Sequence, residues 1–280
     1  MTAAVVNFSR FGGTRIPHLA FSFNFTSLPG KAQQARMREA FSHIDQFCVY
    51  TNFKAALYTE TFGLDPTGYK SVNSTQFKPL IASRAIRHFP TPYAAAVGGE
   101  ARDFETLIAT ALRLPAVHFV IIARPTALLA NPPAKMSVLF NSPGCVCWQI
   151  ASGATAVIVP LIGPETCCGH ITLVSARLLA LLIVITASQG TQKSTDGFKG
   201  TSVVPHADPD ALVEAILAVR HDPSITRIRA LADHQRAALL YNHNIWCDCI
   251  IYSLKRSYST DQFIQEGLTK LVRIILEMRL

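Results

Sequence analysis

Short apolar runs alternate along this chain with stretches whose apolar positions recur every three or four residues. PHLAFSFNF, residues 17–25, reads as a strand, and SLPGK after it as a turn broken by Pro29 and Gly30. AQQARMREAFSHIDQ, 32–46, places Ala35, Met37, Ala40, Phe41 and Ile44 near one helical face. FCVYT, 47–51, is a short β-type run, and FKAALYTETFG, 53–63, is a second helix that stops at Gly63. Residues 65–92 lose this rhythm. Pro66, Gly68, Pro79, Pro90 and Pro92 punctuate a polar stretch that reads as a linker between domains.

The rhythm then returns. Residues 93–99, 117–123, 135–141, 154–162, 182–188 and 202–206 are predicted strands. Helices are predicted over 102–114, 145–153, 170–180, 208–222, 225–241 and 260–278. Asp208 and Pro209 supply a cap and a first-turn proline for the helix at 208. Apolar strands alternating with helices imply an α/β fold with Rossmann-like parallel sheets covered on both faces. The linker divides it into residues 1–91 and 92–280. Open sheets of this kind bind ligands beyond the carboxyl ends of their strands.

Composition agrees with such a sheet. The 280 residues are 49% hydrophobic and 16% charged, which suits one large domain or two modest ones with a covered sheet. The longest apolar stretch, 173–187, carries Arg177 and is shorter than the roughly 18–20 residues of a spanning helix. With no charged-then-apolar leader at Met1, the expected location is cytoplasmic. The net charge of +8 is spread along the chain without interleaved aromatics, so nucleic acid is not an expected partner. A basic balance suits anionic nucleotides or an anionic membrane surface. Lys31, Arg36 and Arg38 on the first helix leave two readings, an ordinary solvated face, which is the commoner outcome, and peripheral contact with an anionic membrane surface. Cys48, Cys145, Cys147, Cys167, Cys168, Cys247 and Cys249 are odd in number and closely paired, which reads as reduced thiols rather than a disulfide framework. The C-x-C gaps are short for zinc, and no metal site is expected.

The candidate chemistry lies in loops at the predicted ligand edge. In PETCCGHITL, Gly169 permits close backbone approach, and the helix from His170 offers unpaired N–H groups and a positive dipole end. Together these form a phosphate seat, to which His170 and Thr172 can add donors. In VGGEARDFETLI, Gly98 and Gly99 end a strand and Arg102 opens a helix, with a rigid and permanently charged fork suited to phosphate. The alternatives are a capped helix with nothing bound and a surface arginine paired with Asp103 or Glu105. Lys193, Asp196 and Lys199, in the loop that follows, read as solvated.

The ordered set YAAAVGGEARDFETLI, ETCCGHITLVSA and GFKGTSVVPHADPDALVEAILAVRHDP resembles the nucleotide-sugar-binding domain of GT-B glycosyltransferases of the family 4, or group 1, type. The resemblance covers roughly residues 93–232. Residues 22–66 are similar to the second half of that family's acceptor-side domain, so the GT-B architecture is expected with an incomplete N-terminal domain. It implies sugar transfer from a nucleotide sugar to a glycan or lipid-linked acceptor, with retained configuration, no metal, and the donor as substrate rather than cofactor. Carried over residue by residue, it assigns donor binding to Gly98, Gly99, Arg102, Cys167, Gly169, His170, Thr172 and Ser175.

The sequence departs from the family's two glutamates, which have seven residues between them. Cys167 and Ser175 stand at those positions, and Glu165 is the nearby carboxylate and the candidate catalytic residue. Two alternatives follow: a catalytically impaired nucleotide-sugar-binding or interaction protein of the same fold, and an unrelated α/β hydrolase using Cys167 or Cys168 with His170.

Overall fold

The computed structural model describes residues 18–21, 28–81, 89–125 and 132–257. By its contacts the chain divides into two compact units. One holds the residues up to Asn73 together with those from Asn242, and the other runs from Ser74 to Tyr241.

The first unit carries β1 (Leu19–Phe21), α1 (Lys31–Phe41), β2 (Gln46–Val49), α2 (Asn52–Phe62) and β3 (Tyr69–Ser71). Its three strands are parallel in the order β1-β2-β3. Helix α1 ends at Phe41, short of the expected residue 46, because Ile44 turns inward to join Phe41, Phe47, Tyr58 and Phe62 in one core. Phe41 meets Phe62 edge to face at 5.0 Å, the arrangement that ring quadrupoles favour. Helix α2 is capped by Thr51, which accepts from the Lys54 amide at 3.2 Å. It ends at Gly63, whose φ of 62° supplies the left-handed turn of a helix C-terminus.

One expectation changes here. The stretch 65–92 is not wholly a linker, since Pro66–Gly68 forms a 3-10 turn and β3 pairs with β2. Arg38 donates from Nε to the Phe62 carbonyl at 2.8 Å and caps the end of α2, while Lys31 and Arg36 on the same helix are exposed.

The second unit is a six-stranded parallel sheet. Its strands are β4 (Tyr93–Val97), β5 (His118–Ala123), β6 (Met136–Phe140), β7 (Val157–Val159), β8 (Ile183–Thr186) and β9 (Thr201–Val204). They lie in the order β6-β5-β4-β7-β8-β9. The connecting helices are α3 (Phe104–Arg113), α4 (Gly144–Ser152), α5 (His170–Leu178), the short α6 (Gln192–Thr195), α7 (Pro209–His221) and α8 (Pro223–Leu240). Asp208 caps α7, accepting from the Ala211 amide at 2.9 Å.

Alternate residues of each strand face opposite cores. Phe119, Ile121, Ile158 and Val184 pack with Leu107, Leu212 and Ile216 on one face. Val157, Val159, Ile183 and Ile185 pack with Leu173 and Ala176 on the other. Both faces are covered, which is why the strands appear in sequence as unbroken apolar runs. This strand order reverses direction between β4 and β7, so the topological switch lies between their carboxyl ends.

The α/β class with parallel Rossmann-like sheets is therefore as expected. A further helix, α9 (His243–Ser257), belongs to the first unit and was not anticipated. The helix expected over 260–278 lies outside the described residues, as do residues 17 and 22–25 of the first expected strand. Among the described residues no helix is long and apolar enough to cross a membrane.

Candidate active site at the sheet's switch point

The loop after β4 and the loop after β7 meet beyond the carboxyl ends of their strands. Arg102 forms an isolated antiparallel bridge with Leu161. The Asp103 amide donates to the Pro160 carbonyl at 2.8 Å, tying the two loops together. Ala101 adopts φ 52°, turning the chain so that the Arg102 side chain folds back over Gly98.

Arg102 is the central group. Its Nη1 donates to the Glu100 carbonyl at 2.8 Å, and its Nη2 donates to the Thr172 hydroxyl at 3.3 Å. That hydroxyl donates in turn to the Val97 carbonyl at 3.3 Å. The Arg102 Nε is buried with no hydrogen-bond partner among the described residues. Burial pushes the guanidinium down to about 10, with Cys168 and Glu100 opposing the shift. It remains charged at neutral pH, because that value is well above 7.

The glycines explain how the guanidinium fits. Gly98 has φ 119°, and a Cβ there would stand 2.7 Å from Arg102 Nη2. A Cβ on Gly99 would stand 3.0 Å from the Arg124 backbone nitrogen. Gly169, with φ 98°, forms the N-cap of α5. The first hydrogen bond inside that helix runs from the Leu173 amide to the Gly169 carbonyl, at 2.9 Å. The N–H groups of the first turn carry the helix's partial positive charge.

The other sequence-predicted residues are placed as follows. Thr172 is buried beside Arg102. His170 is buried, with Nδ1 3.3 Å from the Ser194 hydroxyl. Cys167 and Cys168 are buried, and the Cys167 thiol donates to the Glu165 carbonyl at 3.6 Å. Burial suits a packing thiol better than a nucleophile. Ser175, one turn further along α5, is also buried. Glu165 is exposed at the turn between β7 and α5. Lys193, Asp196 and Lys199 are exposed as expected.

Sequence reasoning missed the support beneath this loop. Gly190 lies so close to Thr166 and Cys167 that no side chain fits. The Ser188 hydroxyl donates to the Thr166 carbonyl, and the Gln189 amide donates to the Pro164 carbonyl at 2.7 Å. The Thr186 hydroxyl accepts from the Leu161 amide at 2.6 Å. A threonine ending the apolar run IVIT was the only sequence trace of this buttress. A groove of about 390 Å³, lined by Thr155, Leu182, Arg220 and Arg227 among others, lies at the opposite, amino-terminal edge of the sheet.

No family profile matches the sequence, and no curated protein does. Solved structures do match the fold. A sucrose-phosphate synthase from Thermosynechococcus elongatus superposes with a TM-score of 0.72 at 14% identity, over 91% of this chain and 71% of that one. Anabaena HepE in complex with UDP-glucose gives 0.71 at 10% identity, over 99% and 75% of the two chains. WaaG, a glycosyltransferase involved in lipopolysaccharide biosynthesis, gives 0.59 at 12% identity, over 85% and 78%. At these identities the likeness establishes architecture: the chain has the Rossmann-like α/β fold of GT-B, group 1 type glycosyltransferases, matched over 71–78% of those three chains.

Proposed function

We propose that the protein is a glycosyltransferase that binds a nucleotide sugar at the β4–β7 switch point and transfers the sugar to a glycan or lipid-linked acceptor. One observation carries this reading. A charged and largely desolvated guanidinium, with one N–H unpartnered, lies against the first turn of a glycine-capped helix, at the place where open α/β sheets take their ligands. A diphosphate suits that combination. The Arg102 fork matches phosphate oxygens, and the backbone N–H groups of residues 170–172 add donors without further charge.

In transfer, the bond between the anomeric carbon and the phosphate oxygen breaks, and the diphosphate keeps the electron pair. Arg102 and the helix N-terminus stabilise the charge that develops there, in a site that partly excludes water. The acceptor hydroxyl forms the new bond, and its proton passes to the departing diphosphate oxygen that kept the electron pair. Retention of configuration and independence from metal belong to this reading through the family resemblance. Glu165 is the carboxylate assigned to the transfer. Gly98, Gly99 and Gly169 admit the donor, while Cys167, His170 and Ser175 shape the wall behind it. HepE, which shares the fold, has been captured with UDP-glucose, so that donor is the first to try.

A second reading, donor binding without transfer, is favoured by Ser175. It is buried where the resemblance expects a glutamate that grips the ribose. Incubation with UDP-glucose and with purine nucleotide sugars, monitored for release of nucleoside diphosphate, separates the two. Release that disappears in Arg102→Ala supports transfer. Binding without release from any donor supports the second reading.

A further inference from the structure

The groove at the amino ends of β7 and β8 plays no part in the transfer chemistry. Its walls include the turn Ala180–Leu182, which links α5 to β8, together with the end of α7 and the first turns of α8. At about 390 Å³ it falls within the range of small-molecule sites, about 300–1,000 Å³.

Two arginines line this groove, and no carboxylate does. Arg220 stands in the last turn of α7. Among the described residues its side chain has no hydrogen-bond or ion-pair partner. Arg227, on α8, donates from Nη1 to the Ala180 carbonyl at 3.3 Å. That bond ties its guanidinium to the wall and leaves most of its N–H groups for another acceptor. Asp222 lies between the two arginines in sequence but is committed to capping α8. It accepts from the Ser224 and Ile225 amides at 3.2 and 3.0 Å, and from the Ser224 hydroxyl at 2.6 Å.

We propose that this groove binds a small organic phosphate monoester, at a site separate from the switch point. A monoester carries close to two negative charges at neutral pH and three terminal oxygens. It can engage both guanidinium forks, where a carboxylate would fill one. Leu181, Leu182 and Val219, on the same walls, suit the organic body. Helix ends do not account for the two charges. The carboxyl end of α7 carries about half a negative charge, less than Arg220 alone supplies. Arg227 lies in the amino-terminal half of α8, where the helix dipole offers a cation no stabilisation.

Isothermal titration of the full chain with phenyl phosphate and with inorganic phosphate, at a pH of about 7.5 where the monoester is dianionic, tests the proposal. Phenyl phosphate should bind, and about fivefold or more tighter than inorganic phosphate, because its ring covers apolar wall. Arg220→Gln and Arg227→Gln should each weaken it about tenfold or more, the effect of losing one charged donor. Arg220→Gln, whose side chain has no partner to lose, decides if Arg227→Gln proves unstable. Arg229→Gln, exposed on α8 and outside the groove, should leave the affinity unchanged.

The site does not depend on the nucleotide-sugar reading, and Arg102→Ala separates the two. Binding that persists in Arg102→Ala and is weakened there by Arg220→Gln supports the groove, whatever the switch point binds. Binding that disappears in Arg102→Ala would place the anion at the switch point and overturn the proposal. Equal losses in Arg220→Gln, Arg227→Gln and Arg229→Gln would also overturn it, as the mark of a diffuse basic surface. So would equal affinity for the two phosphates, or no binding at millimolar concentration.

Discussion

Arg102 and Thr172 stand 70 residues apart in sequence, yet the guanidinium Nη2 lies 3.3 Å from the threonine hydroxyl. Thr172 passes the contact on to the Val97 carbonyl, so the end of β4, the arginine and the first turn of α5 form one hydrogen-bonded unit. Thr172→Val keeps the shape and removes both bonds. Binding of nucleoside diphosphate should weaken about 5- to 20-fold, and thermal stability should fall by about 1 kcal/mol, the net worth of a typical buried hydrogen bond. Calorimetry and a melting curve on the same sample check both effects.

Gly98 should tolerate no side chain. With φ 119° and a would-be Cβ 2.7 Å from the Arg102 guanidinium, Gly98→Ala both strains the backbone and displaces the arginine. The expected cost is about 1–3 kcal/mol, or several degrees in Tm at about 2–4 °C per kcal/mol. Gly163→Ala, in the neighbouring loop, meets nothing within 4 Å and serves as the silent control. Equal melting temperatures for the two variants would contradict the packing described for Arg102.

Phe198 lies under two arginines. The Arg177 guanidinium sits 3.7 Å from its ring centroid and that of Arg236 sits 4.8 Å away. A desolvated cation–π contact is worth up to about 2 kcal/mol. Phe198→Leu keeps an apolar group but removes both contacts, and should lower stability by about 2–3 kcal/mol in denaturant titration. Phe198→Tyr, with its aromatic face intact, should cost much less.

Cys48 gives the first unit an alkaline limit. It is fully buried, and desolvation, with a smaller contribution from neighbouring Cys249, pushes its thiol from 9.0 up to about 12. The folded chain therefore holds the proton where the unfolded chain releases it. Stability tied to this thiol is intact below pH 9 and declines as pH rises from 9 towards 12. At pH 10 the loss is about 1.4 kcal/mol, one pH unit above the unfolded value. Cys48→Ala should start less stable at pH 7 but show a shallower decline between pH 8 and 10. Urea midpoints at those two pH values measure the slope.

Much of the second unit was legible in the sequence because its strands are covered on both faces. VHFVIIA and ATAVIVPLI appear as unbroken apolar runs, and glycines mark where two of the edge loops turn. What was not legible was spatial. YKS is too short to show a strand period, and β3 exists only because it pairs with β2. Helix α9 begins HNIWCDC, where Asn, Cys and Asp blur the helical period, and it belongs with residues nearly 200 positions earlier. Arg177 would ordinarily be expected at a surface; a ring, a tyrosine and a threonine from distant segments make its burial tolerable. The Ser188–Gly190 buttress leaves almost no trace, because close backbone approach at Gly190 depends on where the Thr166 loop lies.

The account turns on whether the switch point holds a diphosphate. Isothermal titration of the wild-type protein and of Arg102→Ala with UDP, GDP, ADP and their sugar conjugates tests this most directly, with melting curves to show that the variant is folded. The account predicts wild-type binding of at least one of these ligands with Kd tighter than about 1 mM. It predicts a loss of tenfold or more in Arg102→Ala, as expected when a charged hydrogen-bond donor worth about 1.5–3 kcal/mol is removed. Binding unaffected by Arg102→Ala, or no binding of any nucleotide to folded wild-type protein at millimolar concentration, would contradict it.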